Sequence, residues 1–367
     1  IGSLLFERTG RLSEHNHNYE SFNIDRPEIV ADIHLEYLQA GAQVITTNTF
    51  SCNLAHLSLH NQSHRLREIN QAGVQRVRDA IQLYEKQQGK HRKVFIAGSM
   101  GPTPNVNESP EEACSIYTPQ VEAFVESGVD AIILETFTSF QHVRTVLGII
   151  KRIEDPPAVI VHMALRKNSK DTWNLDPLKF VEETAKLGAC LVGVNCCAPS
   201  VAHSFLQATR EIERVVENEI HISLMPNAGD FQRIGHRYLT GINPESMGKF
   251  ARRSMIGGAK LIGGCCDVHP EHIHEMHNYL RADSPSKIFI PEPNDSRMEA
   301  IADSLRSKNG IFSKKIINGE FAVSVELLPS RGTGGIKSRL NFIKSLFESG
   351  LSDAIDITDG SRGVSLM

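Results

Sequence analysis

The sequence predicts an α/β fold: a parallel (β/α)8 TIM barrel with its first strand incomplete, followed by the beginning of a second βα barrel domain. Three observations carry this. A helical stretch repeatedly ends in glycine and runs at once into β-branched residues, in "YLQAGAQVITTNTF" (37–50), "FVESGVDAIILETF" (124–137), "AKLGACLVGVNCC" (185–197) and "MIGGAKLIGGCC" (255–266). Glycine closes a helix in the left-handed conformation, and a continuous Val/Ile run suits a strand buried on both faces. Strands marked in this way fall near 43–48, 94–98, 131–135, 158–164, 191–195, 221–225 and 260–264, with part of one more expected just before residue 4. Helical patterns lie between them, which implies a parallel sheet. No G-x-G-x-x-G follows the early strands, and this argues against an open dinucleotide-binding sheet.

The helix over 28–40 carries Ile29, Val30, Ile33 and Tyr37 on one side, a core-facing stripe. Helix starts are marked at Asp176-Pro177 and Asn243-Pro244, each a capping side chain before a proline at the first helical position. The barrel is expected to span 1–280. "RADSPSKIFIPEPNDS" (281–296) is rich in proline and serine and opens a linker over 281–315, with a short helix at 297–307. A fresh βα pattern fills 316–367: a strand in "FAVSVELLP" (321–329), a helix in "SRLNFIKSLFESG" (338–350) and a strand in "DAIDIT" (353–358). Two strands are too few to close a core.

Composition narrows the function classes. A net charge of −4 over 367 residues gives no reason to expect nucleic acid or an anionic membrane as partner. No apolar run reaches the roughly 18 residues of a spanning helix, and "IGSLLFERTG" lacks the basic start and long apolar core of a secretory signal. Seven cysteines do not form a disulfide framework. They suit a reducing cytoplasm, where clustered thiols bind metal or do chemistry.

In a parallel barrel the functional residues collect at the C-terminal ends of the strands. Those ends carry Asn48, Gly101, Glu135, Asn195-Cys196-Cys197, Asn227 and Cys265-Cys266. Four of seven cysteines thus share one rim, on strand ends that lie close around the ring. Thiolates converging from different strands suit a soft metal, zinc first. No C-x-x-C occurs, so the residues alone leave three readings open: a three-cysteine metal site, buried inert thiols, and a redox or nucleophilic thiol. Cys52, Cys114 and Cys190 are expected to pack.

"GVNCC" (193–197), "MPNAG" (225–229) and "GGCC" (263–266), in this order and spacing, resemble the signature of the zinc-dependent homocysteine S-methyltransferase family. "RPEIVADIHLEYLQAGAQVITTNTF" (26–50), "AGSMGP" (97–102) and "LETF" (134–137) are similar to further family segments, so the resemblance covers about residues 1–280. It implies Zn2+ held by Cys196, Cys265 and Cys266, with Cys197 pointing away. It also implies homocysteine and a small-molecule methyl donor as substrates and methionine as product. Three protein thiolates leave one tetrahedral position for the substrate thiol. Glu135 is implied to hold the substrate ammonium. In the family the carboxylate is held by backbone amides of an Asp-Gly segment at the first strand. "IGS" matches the last three positions of its Asp-Gly-Ala-x-Gly-Thr motif, with serine for threonine and the first three residues missing, so the resemblance implies Gly2 and Ser3 as substrate-binding residues. Asn48 and Asn227 are expected to support the site through hydrogen bonds. Betaine, S-methylmethionine and a methylfolate all occur as donors around the family.

Two alternatives stand beside this reading: a non-catalytic zinc-stabilised thiol-binding barrel, and a hydrolase using zinc-bound water. Three thiolates argue against the hydrolase, whose sites draw on His and carboxylate ligands. "HPEHIHEMH" (269–277) is expected to be a solvated helix rather than a metal site, and "HNHN" (15–18) and "RKNSKD" (166–171) loops, the latter a candidate lid. "Asp267-Val268-His269" departs from the small segment that follows the paired cysteines in the family. Finally, "SVELLPSRG" (324–332) and "DAIDITDGSRG" (353–363) resemble the opening of a methylenetetrahydrofolate reductase domain. That resemblance implies a catalytic role for Glu326, and FAD only where the domain is complete.

Overall fold

A computed structural model of the chain divides into two compact units, Ile1–Asp283 and Ser284–Met367. It describes residues 1–9, 18–166 and 172–281 of the first unit, apart from 90, 106, 213, 214, 216, 218, 229–231, 235, 236 and 240, and residues 310–327 and 336–357 of the second. Most of the expected linker, its 297–307 helix, and 15–17 and 167–171 of the expected loops lie outside the described residues.

In the first unit, strands β1 Val44–Thr46, β2 Phe95–Met100, β3 Ala131–Phe137, β4 Ala158–Met163, β5 Leu191–Asn195 and β6 His221–Met225 follow one another around a parallel sheet that ends in β9 Leu261–Ile262. Each strand falls within a few residues of its expected place. The inward residues Val44, Ala97, Ala131, Ile133, Ile160, Leu191, Met225 and Leu261 form one apolar cluster. Because that cluster includes both β1 and β9, the sheet curls until its edges approach. The outer faces, with Ile132, Leu134, Val161, Val192, Val194 and Leu224, belong to the main core with the surrounding helices. Burial on both faces is why these strands read as continuous apolar runs rather than alternating ones.

Two features differ from the expectation. No described residue forms a strand before β1. Gly2–Thr9 is a helix, α1, whose Leu4 and Leu5 pack against Phe22, Val30 and Ile33. The Val30 and Ile33 stripe of helix Pro27–Gln39 therefore serves this satellite cluster. Between β6 and helix Pro244–Ile256 the chain makes an antiparallel hairpin, β7 Gln232–Ile234 with β8 Arg237–Leu239, in a stretch before the expected helix start for which no element was expected.

The caps follow the sequence. Asp176 accepts a hydrogen bond from the Leu178 amide and Asn243 from Ser246, each before a proline at the helix start. Ser109 and Glu112 form a reciprocal capping box on helix Pro110–Glu126.

In the second unit, β10 Ser324–Leu327 and β11 Ala354–Ile357 pair in parallel, joined through helix Ile336–Glu348, with helix Ile311–Ile317 before them. Asp353 accepts from Lys315 Nζ (3.0 Å) and from the Val323 amide (2.9 Å). The described helices include none long and apolar enough to cross a membrane.

Candidate metal and substrate site

The three cysteines expected to converge do so. Sγ atoms of Cys196, Cys265 and Cys266 all lie within 4.8 Å of one another, and those of Cys196 and Cys266 are 3.8 Å apart. A disulfide would need about 2.05 Å. Four sulfurs at about 2.3 Å from a tetrahedral ion stand about 3.8 Å apart, so the spacing fits a shared ion. Among the described residues this is the one group of His, Cys, Asp and Glu side chains that meets in this way.

The loop after β6 assembles the cluster. Cys196 donates its amide to Met225 O (3.3 Å), Cys265 to Pro226 O (2.8 Å), and Ala228 to Cys266 O (3.0 Å). Asn227 is the central strut: its amide donates to Cys197 O (2.9 Å) and its Oδ1 accepts from the Cys266 amide (3.1 Å). Cys196 has φ +52°, a left-handed turn that costs a non-glycine residue energy and is held by its surroundings. Cys197 is buried in the main core, away from the cluster as expected. Cys52 is buried as well, and Cys190 Sγ donates to Val159 O.

Of the two glycines before the pair, Gly264 acts through space rather than through backbone freedom. Neither Gly263 nor Gly264 has a positive φ. A Cβ on Gly264 would stand 2.3 Å from Val268 Cγ1, whereas one on Gly263 would meet only Met225 Cε at 3.3 Å. Thiol-to-thiol hydrogen bonding from Cys265 and Cys266 holds the Cys196 thiol well below its ordinary value and pushes its two donors up.

Glu135 ends the inward face of β3 beside this cluster. Burial pushes its carboxyl up to about 7, against the opposing pull of a Ser99 hydrogen bond, with Cys196 adding to the rise. The half-buried Ile1 lies near Glu135, Cys265 and Cys266. The first turn of α1, with Gly2 and Ser3, therefore opens at the site, and it holds no acidic residue. Its free amides favour an anion.

Asn48 is buried and its Nδ2 donates to Tyr19 O (2.9 Å) and Asn23 Oδ1 (3.2 Å). Its amide pins the 18–25 segment onto the end of β1. Glu326 lies in β10 of the second unit, and its side chain is outside the described residues. The histidines after the paired cysteines sit on helix Pro270–Arg281. His274 is exposed, the His277 ring lies over Gly41, and buried His272 bonds Ile242 O (3.0 Å). None joins the thiol cluster.

Sequence reasoning placed Asn195 on the rim without giving it a role, and passed over Thr136. Asn195 adjoins Cys196 in "NCC", a signal that could have given it one. Thr136 has φ +62°, which no local sequence feature announces.

The family profile described as homocysteine S-methyltransferase matches residues 1–280. Methionine synthase of Mycobacterium tuberculosis is 27% identical over 272 residues, covering 70% of this chain and 22% of that protein. The chain thus spans about a fifth of the mycobacterial methionine synthases it matches. Betaine–homocysteine S-methyltransferase 1 of Bos taurus is 25% identical over 283 residues, covering 73% of this chain and 67% of that protein. The oxidised form of the Escherichia coli homocysteine methyltransferase MmuM superposes with TM-score 0.63 at 20% identity, over 76% of this chain and 93% of that one. This structural likeness shows the fold, a TIM-barrel-like sheet. With the profile matched along the whole barrel unit, the chain belongs to the homocysteine S-methyltransferase family.

Proposed function

We propose that the barrel transfers a methyl group from a small-molecule donor to the thiolate sulfur of homocysteine, giving methionine, with Zn2+ held by Cys196, Cys265 and Cys266. The observation that carries this is the convergence of three thiols from two strand ends at the spacing of a tetrahedral ion. MmuM has a structure described as a metallated form. Bound here, zinc would supply the Lewis acidity that favours deprotonation of an incoming thiol, with one coordination position left by three protein ligands.

The remaining work falls to the chain. Glu135 receives the substrate ammonium, a cation that offsets the burial of its carboxylate. Free amides at Gly2 and Ser3, at the start of α1, receive the substrate carboxylate. Asn227 holds the Cys266 turn, and Asn48 holds the wall formed by 18–25. Together these groups align the nucleophilic sulfur with the donor, so that proximity rather than new bonding supplies the rate. The S–CH3 bond forms as the donor–CH3 bond breaks, and its electron pair leaves on the donor.

For 316–367, with 281–315 as linker, we propose the opening of a methylenetetrahydrofolate reductase-like domain. The parallel β10–β11 pair supports a βα architecture there. Glu326 and FAD would act only in the complete domain. Seven free cysteines support a reducing, cytoplasmic setting.

The test uses the full chain. Zinc content is measured by atomic emission, and methionine is assayed with betaine, S-methylmethionine and methyltetrahydrofolate in turn. Stoichiometric zinc and methionine from one donor are expected, and Cys265→Ala should lose both. Stoichiometric zinc with no methionine from any donor would leave the thiol-binding alternative in its place.

A further inference from the structure

The barrel interior holds one side chain that touches both halves of the site. Asn195 closes β5, is buried, and spends its whole amide on two neighbours. Its Oδ1 accepts from the Thr136 backbone N–H (2.9 Å). That contact fixes the orientation of the amide, because a backbone N–H can only face the oxygen end. The Nδ2 end must then point to its other neighbours, and it donates to Thr136 Oγ1 (2.9 Å) and towards Cys265 Sγ (3.7 Å).

Thr136 is a β-branched residue at φ +62°, a strained conformation that persists only when neighbours impose it. It directly follows Glu135. The β3–β4 register shifts between Leu134 and Phe137, so the irregularity contains the Glu135–Thr136 peptide. Such bulges re-aim a side chain, and here the re-aimed side chain is Glu135. Asn195 grips the bulge by a backbone and a side-chain bond while its second N–H meets a sulfur of the thiol cluster.

We propose that Asn195 is a positioning residue that couples the ammonium-binding carboxylate to the thiol cluster, by holding the strained Glu135–Thr136 bulge and donating a hydrogen bond to Cys265. One amide then sets the distance between the two places where a single amino acid must be gripped. Donation to Cys265 also draws charge from that sulfur, which moderates its donation to a metal. This inference rests on the zinc and homocysteine reading above, and its test separates the two.

The experiment compares wild type, Asn195→Ala and Thr136→Val in the full chain. Each is loaded with Co2+ for the thiolate-to-cobalt absorption band, and with Zn2+ for homocysteine binding by titration calorimetry. Asn195→Ala should shift the band to longer wavelength and weaken homocysteine about tenfold. Thr136→Val removes only the hydroxyl contact. It should weaken homocysteine about threefold and leave the band in place, a split that general loosening of the fold would not produce. If Asn195→Ala does not fold, an unchanged homocysteine affinity in Thr136→Val overturns the proposal. A metal-loaded Asn195→Ala with band and affinity unmoved overturns it while the zinc reading stands. Wild type that takes up neither metal overturns both.

Discussion

His162 on β4 and Ser223 on β6 are hydrogen-bonded, Nε2 to Oγ at 2.7 Å, across the strand that separates them. Their register partner on β5 is Gly193. With no side chain there, the imidazole reaches two strands over, just below Asn195 and Cys196. A Cβ at Gly193 would lie 1.7 Å from the Ser223 carbonyl oxygen, a backbone atom that cannot swing aside. Gly193→Ala should therefore force β5 and β6 apart and cost about 3 kcal/mol or more. Circular dichroism and a thermal melt check this, and a variant melting within a degree of wild type would refute it.

The two glycines before the paired cysteines should respond differently to the same substitution. Gly264→Ala presses on Val268, which is buried and whose carbonyl is held by Tyr37 Oη at 2.8 Å. The 265–268 turn must open, and zinc affinity measured by chelator competition should fall at least tenfold. Gly263→Ala meets only the flexible end of Met225 and should keep its affinity within about threefold. Equal effects would show that backbone freedom, not space, is what the glycines provide.

Stability should depend on pH through two buried groups of opposite sign. The Glu135 carboxyl is raised to about 7 by burial, so the folded state binds its proton more tightly than the unfolded one. Its contribution is full below about 4.5 and is lost as pH rises through about 7. His162 is lowered to about 3 by burial, so its contribution is present above about 6.5 and is lost as pH falls. In metal-free protein, Glu135→Gln should flatten the decline in urea midpoint between pH 4.5 and 7 and leave the acid limb intact. An unchanged slope would place the Glu135 side chain in water.

The capping box offers a control remote from the thiols. Ser109→Ala removes the bond from the Glu112 amide to Ser109 Oγ (3.2 Å) and should cost about 1 kcal/mol. Denaturant unfolding would show this, with zinc content and homocysteine affinity unchanged.

Much of this was legible in the chain. Strand positions followed from Val/Ile runs after helix-closing glycines, because burial on both faces removes polar residues from the pattern. Cys196, Cys197, Cys265, Cys266 and Glu135 were legible as rim residues because strand ends collect on one rim, while the choice of Cys196, Cys265 and Cys266 as the converging set was what the family resemblance implied. The α1 helix was hidden because the three residues at its start match a strand-end motif, while burial of Leu4 and Leu5 on the Pro27–Gln39 helix decides its conformation. The β7–β8 hairpin lies ahead of the Asn243-Pro244 helix start, in a stretch to which the sequence reading gave no element.

Sequence alone supplied the residue types and the family signature, since a thiol's affinity for a soft metal and a carboxylate's for a cation belong to the side chains themselves. Only the tertiary structure decided the geometry. Cys196 and Cys265 are brought together by the Pro226–Asn227 loop, Thr136 is driven into a left-handed turn by Asn195, and Gly264 is required by the bulk of Val268. Each depends on contacts between residues distant in the chain or folded back on one another, whose separations no local pattern encodes.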